Sequence, residues 1–144
     1  LLVDQSTVLL LKDVIQKEGK IRLPASGSSM YPFIQQGDMC QFVYVQQHEW
    51  KKGDILLFFS ESLRLVAHRY YGKHHDKLLF KGDSNLGFDP PIKPEQVIGK
   101  LSVIEKKGKH IEINVAAAQL WKNIILYFPM ISSMLRFFIN HRNI

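Results

Sequence analysis

Ser29 stands in a run of small residues, Ser26-Gly27-Ser28-Ser29-Met30-Tyr31-Pro32, and His68 follows in Val66-Ala67-His68-Arg69. Two carboxylates come later, Asp83 in Lys81-Gly82-Asp83-Ser84-Asn85 and then Asp89. These side-chain types are those of nucleophilic acyl chemistry. A serine hydroxyl is a weak nucleophile at neutral pH and needs an adjacent base. An imidazole, ordinarily titrating near about 6.5, can take that proton and return it to a leaving amine. A carboxylate on the other ring nitrogen holds the tautomer and stabilises the imidazolium. Taken singly, each residue has a plainer reading: serines beside glycine make a turn, and a strand histidine finds a hydrogen bond in the interior.

Other chemistries find less support. The six histidines (His48, His68, His74, His75, His110 and His141) form no His-x-x-x-His pair. No cysteine pair accompanies them, so neither a metal site nor a cofactor is expected. Cys40, the single cysteine, sits among Met39, Phe42 and Val43 and reads as a buried, inert thiol. There is no glycine-rich phosphate loop. The net charge of +6 is scattered, densest at Lys106-Lys107-Gly108-Lys109 and His141-Arg142, without an RNA-binding or zinc-finger signature. It reads as a solvated basic surface, and no nucleic-acid partner is expected.

The elements that must position these residues follow from pattern. With 144 residues, 46% of them hydrophobic, the chain can bury the core of one domain. Nine Phe and five Tyr favour a strand-rich interior. Residues 4–18 place Val8, Leu11, Val14 and Ile15 at helical spacing, with Asp4 or Ser6 as cap and Gly19 as stop. No apolar run there is long enough for the h-region of a signal peptide, about 7–15 residues. Strands are then expected over 39–45, 55–60, 63–71 (ending at Gly72) and 77–81, several of them opened by Gly-Asp turns. A hairpin is expected from 97–105 and 110–115, and His74-His75 reads as a solvated hairpin tip. Residues 116–139 read as an apolar helix kinked at Pro129. Its stretch without charge, between Lys122 and Arg136, is shorter than the roughly 20 residues of a membrane span. This segment is expected either to lie on a membrane surface or to pack on protein, presenting Leu120, Ile124, Tyr127, Phe128, Ile131 and Leu135.

The succession of short motifs over residues 21–104 resembles the signal peptidase I family of serine peptidases. The likeness is to its branch typical of the endoplasmic reticulum, archaea and some Gram-positive bacteria. It is carried by Ser29-Met30, Gly37-Asp38, Gly53-Asp54-Ile55, Val66-Ala67-His68-Arg69, Lys81-Gly82-Asp83-Ser84-Asn85, Asp89 and Ile98-Gly99-Lys100, in that order. The resemblance implies Ser29 as nucleophile and His68 as base, at the position where ordinary bacterial members carry lysine. Asp83 and Asp89 match the two acidic positions; Asp89 is the expected third member of the triad, with Asp83 supporting the site. Gly27, Ser28 and Met30 fall in the expected oxyanion and substrate-binding loop. Gly27 departs from the serine that many bacterial relatives carry there, so the Ser29 amide, with the Ser28 or Ser26 hydroxyl, is expected to serve. Ser84 stands where the branch often has asparagine, and no N-terminal membrane anchor is seen.

The implied fold is mainly β, coiled antiparallel sheets with an N-terminal amphipathic helix and a C-terminal apolar helix. The division is a helix over 1–20, a catalytic domain over 21–115, and an apolar helix with a basic tail over 116–144. The expected activity is cleavage of an extended peptide or preprotein, as in a signal or leader segment, through an acyl-enzyme. The expected location is membrane-associated, with the cytoplasm as alternative. Two other readings stay open: a catalytically silent peptide-binding or membrane-attached module, and a self-cleaving repressor-type peptidase with a lysine base.

Overall fold

The computed structural model describes residues 2–142; Leu1, Asn143 and Ile144, which the division above places in the terminal segments, lie outside the described residues. Helix α1 (Gln5–Glu18) begins where the Asp4 carboxylate accepts the Thr7 N–H at 2.7 Å. It ends at Gly19, whose φ of 81° is the left-handed stop that glycine adopts without a Cβ clash. Ile15 of α1 is buried against the sheet at Gly99, where an added Cβ would lie 2.5 Å from its Cδ1. The helix can approach this closely only because that strand position has no side chain.

Seven strands form one antiparallel sheet: β1 (Lys20–Pro24), β2 (Met39–Val43), β3 (Ile55–Phe59), β4 (Leu65–His74), β5 (Lys77–Lys81), β6 (Val97–Lys106) and β7 (Lys109–Glu112). Their order is β1-β2-β6-β3-β4-β5, with β7 also on β6. All pairings are antiparallel. The sheet is continuous, and its register shifts at Gln41/Phe42, Leu57/Phe58 and Tyr70/Gly72. Such bulges add local twist and bend.

The run Ile55-Leu56-Leu57-Phe58 has no polar alternation because β3 is buried on both faces. Ile55 and Leu57 join one core with Ile15, Phe42 and Leu101. Leu56 and Phe58 join a second with Tyr70, Leu78 and Phe80. Antiparallel pairing carries that alternation onto β4. Leu56 lies opposite His68 and Ile55 opposite Arg69, so these consecutive residues face the two different cores.

Strands β2 and β3 end one or two residues before the sequence expectation and β4 begins two residues after it, and three larger differences stand out. Strand β4 passes through Gly72 instead of stopping there, because the bulge at Tyr70/Gly72 absorbs the glycine. The chain reverses at His75, with φ 57°, on an exposed tip as expected. Strand β7 stops at Glu112. The C-terminal segment is not one kinked helix but two, α2 (Ala116–Tyr127) and α3 (Met130–Arg142), bent by 103°. Proline has no N–H and pushes the preceding residue out of helical geometry, and Phe128 before Pro129 sits at φ −127°, ψ 75°. Leu120, Tyr127 and Phe128 are exposed as expected. Ile124, Ile131 and Leu135 are half-buried instead, and Met130, Met134, Phe137 and Phe138 take their place on the surface.

Candidate active site

Residues 25–38 leave β1 and return to β2, and Ser29 lies in this connection. His68 projects from β4, and Asp89 lies in the loop after β5, anchored by its own N–H to the Phe80 carbonyl at 2.8 Å. The three side chains meet. The Ser29 hydroxyl donates to His68 Nε2 at 2.9 Å, and His68 Nδ1–H donates to Asp89 Oδ2 at 2.5 Å. Both contacts are satisfied by one neutral tautomer, with the proton on Nδ1 and the lone pair of Nε2 aimed at the hydroxyl. The His68 side chain is 10% exposed and that of Asp89 22%, so the pair is sheltered but reachable.

The connection carrying Ser29 is held from one side by residues 81–85. Ser84 N–H donates to the Ser29 carbonyl at 2.9 Å and Ser84 Oγ to the Ser28 carbonyl at 2.6 Å. Asp83 N–H points at the buried Met30 sulfur at 3.4 Å. Gly82 makes this approach possible, since a Cβ there would sit 2.7 Å from the Ser29 carbonyl oxygen. Gly27 takes φ 78°, which a serine at that position would adopt only with strain. Met30 is thus packed in the core, and Ser28 contributes its carbonyl to the loop's anchorage. The Ser29 N–H has no acceptor among the described residues.

Asp83, grouped with the catalytic residues on sequence, makes no hydrogen bond to His68. It is fully buried and accepts from Arg69 Nε at 3.0 Å, Arg69 Nη2 at 2.5 Å and Trp121 Nε1 at 3.0 Å. Arg69 also donates to the Gly53 carbonyl at 3.0 Å and stands over the Phe33 ring. Lys81 Nζ donates to the buried Ser132 hydroxyl at 3.0 Å. Burial pushes this ammonium below its ordinary value, with the Asp83 charge opposing. Arg136 of α3 donates to the Ser84 carbonyl (3.0 Å), Ser84 Oγ (3.2 Å) and Asn85 Oδ1 (3.0 Å). Sequence reading missed Trp121, Ser132 and Arg136. Their one signal was being polar in an otherwise apolar segment.

No lysine amine hydrogen-bonds Ser29 among the described residues; Lys73 and Lys77 belong to the β4–β5 hairpin, and Lys81 is committed to Ser132. Nor do three or more His, Cys, Asp or Glu side chains cluster there as a metal site would need. Cys40 is buried as expected, and burial with the nearby Asp38 charge pushes its thiol up to about 11.

Ser29, His68 and Asp89 open onto a cleft of about 680 Å³. Its walls are largely apolar, with Ala25, Ile34, Leu57, Leu65 and Ala67 among them, and Arg64 and Arg136 also line it. Residues 65–67 of β4 pair with β3 on one side, while β5 pairs only from Arg69 onward. Among the described residues, 65–67 of β4 have no second partner strand, and the same edge just before them is taken by Leu2, paired with Arg64. Comparison of the chain with protein-family models, with curated proteins and with solved structures gives no match.

Proposed function

We propose that this protein is a serine endopeptidase of the signal peptidase type, cleaving an extended peptide through an acyl-enzyme. The observation that carries the reading is the unbroken hydrogen-bond chain from Ser29 through His68 to Asp89 at the mouth of an apolar cleft. The antiparallel sheet, with helices before and after it, is compatible with the coiled-sheet fold of that family.

In this mechanism the peptide lies as an added strand along the free edge of residues 65–67, its side chains alternating into the cleft. Ser29 Oγ attacks the scissile carbonyl carbon while its proton passes to His68 Nε2. The Ser29 N–H faces the developing oxyanion, and the Asp89 carboxylate stabilises the imidazolium. Collapse breaks the C–N bond, and His68 returns the proton to the departing amine. Water, activated by the same imidazole, then releases the acyl group and restores the Ser29 hydroxyl. The substrate class that fits is a signal or leader segment with small side chains near the cut, in a membrane-associated setting.

A fluorophosphonate tests the reading directly. It should add one phosphonyl group to Ser29, located by peptide mass spectrometry, and Ser29→Ala and His68→Ala should abolish the labelling. Labelling at another serine, or none at any pH where the protein is folded, rejects the assignment and leaves a silent peptide-binding module.

A further inference from the structure

We propose that the helix pair α2–α3 is a docking surface for an anionic lipid bilayer, lying in the interface without crossing it. Tyr127, Phe128, Met130, Met134, Phe137 and Phe138 are each at least half exposed, and all fall within one short stretch of chain. Exposed apolar area concentrated in this way marks a contact surface in a folded protein.

Charge identifies what covers it. From Ile113 onward the chain contains no Asp or Glu, while Lys122, Arg136 and Arg142 are cationic. None of the three forms an ion pair among the described residues: Lys122 donates to Gln119, Arg136 to Ser84 and Asn85, and Arg142 stands over Tyr31. Arg136 is turned to the domain and Lys122 lies against Gly53, so it is exposed Arg142, beside these aromatic and Met side chains on a segment without carboxylates, that gives the composition of an interfacial helix on acidic lipid. A second copy of the chain fits less well, since two-fold pairing sets the same cations against each other.

Geometry decides between lying and spanning. Helices of 12 and 13 residues are each about 20 Å long, short of a hydrocarbon core of about 30 Å. With a 103° bend between them they do not form one straight helix long enough to span. The polar side of the pair is occupied by the domain. Apart from Gln119 to the adjoining Ile113, every described side-chain hydrogen bond from α2–α3 to the rest of the chain lands on residues 81–85. One side grips the domain, and the other is left for the bilayer.

The inference does not depend on Ser29 being a nucleophile, and its test is binding alone. Purified full chain is sedimented with sucrose-loaded vesicles of phosphatidylcholine, with and without phosphatidylglycerol. At least about tenfold tighter binding is expected with phosphatidylglycerol, weakening as salt rises. Met134→Ser with Phe137→Ser, both at exposed positions, should lower that binding by about tenfold or more with an unchanged circular dichroism spectrum. Equal binding to both vesicle compositions overturns the proposal, as does undiminished binding by the double variant. Self-association that the double variant abolishes, without vesicle binding, assigns the face to a second copy and also overturns it.

Discussion

His68 and Arg69 are neighbours on one strand, and each takes a carboxylate from the segment that follows β5, yet the two pairs differ in almost every physical respect. Arg69 and Asp83 are sealed in, 3% and 0% exposed, and Asp83 accepts three N–H groups from two side chains. His68 and Asp89 keep a path to solvent, and the far nitrogen of His68 is turned to a hydroxyl. A buried, fully bonded charge pair has no free position for chemistry, and removing either member strands the other in a low-dielectric interior. A sheltered pair at a cleft can gain and lose a proton without unfolding its surroundings. Period-two alternation along β4 separates the two roles by a single residue.

The largest effect should fall on the open pair and leave the fold alone. Ser29→Ala and His68→Ala should each lower peptide turnover by about 10⁴-fold or more, and the double variant hardly further, because triad members act as a unit. Thermal midpoints should stay close to that of the parent chain. The rate should fall on the acidic side, since only neutral imidazole can accept the Ser29 proton, while Lys73→Ala and Lys77→Ala should change little. Full activity in His68→Ala would break the comparison at its first term.

The two aspartates provide the sharpest contrast. Asp89→Asn should cost about 10³- to 10⁴-fold in turnover and within about 1 kcal/mol of stability. Asp83→Asn should cost about 3–5 kcal/mol in urea denaturation, because Arg69 keeps its charge without a counter-ion. Similar losses of stability in both variants would show that the sheltered pair is structural as well.

Arg136 bridges the regions and should show an intermediate effect. It lines the cleft and hydrogen-bonds none of Ser29, His68 and Asp89, but it holds Ser84, which in turn holds the Ser28 and Ser29 carbonyls. As a positioning residue, its replacement in Arg136→Met should lower kcat by about 10- to 100-fold with little change in thermal midpoint. Arg136→Lys should restore little, since one ammonium cannot reproduce a fork over three acceptors. A change confined to KM would instead place Arg136 on the substrate.

Cys40 should show the smallest effect. It belongs to the core on the Arg69 side of the sheet. It also borders the cleft but hydrogen-bonds none of Ser29, His68 and Asp89, so Cys40→Ala should change turnover little. The thiol's pKa is raised on folding, so its share of stability is complete below 9.0 and is lost as pH rises towards about 11. Urea midpoints across that window should decline less in Cys40→Ala than in the parent chain. Native protein should also resist iodoacetamide until it is unfolded.

Much of the framework is written locally. Asp4 and Gly19 bound α1, Gly37-Asp38 and Gly53-Asp54 precede β2 and β3, and the strand expected at 77–81 is β5, because caps, turns and short strands depend on near neighbours. The types and order of Ser29, His68 and Asp89 were legible for the same reason. What no local pattern could assign was the pairing of two carboxylates with two adjacent bases. Nor could it show that Trp121, Ser132 and Arg136 reach back across 38 to 52 positions to grip residues 81–85. The break at Pro129 was visible as a proline but not as a 103° bend, since its angle is set by what α3 packs against. Such contacts join residues distant in the chain, and only assembly of the sheet and docking of the helix pair bring them within hydrogen-bond range.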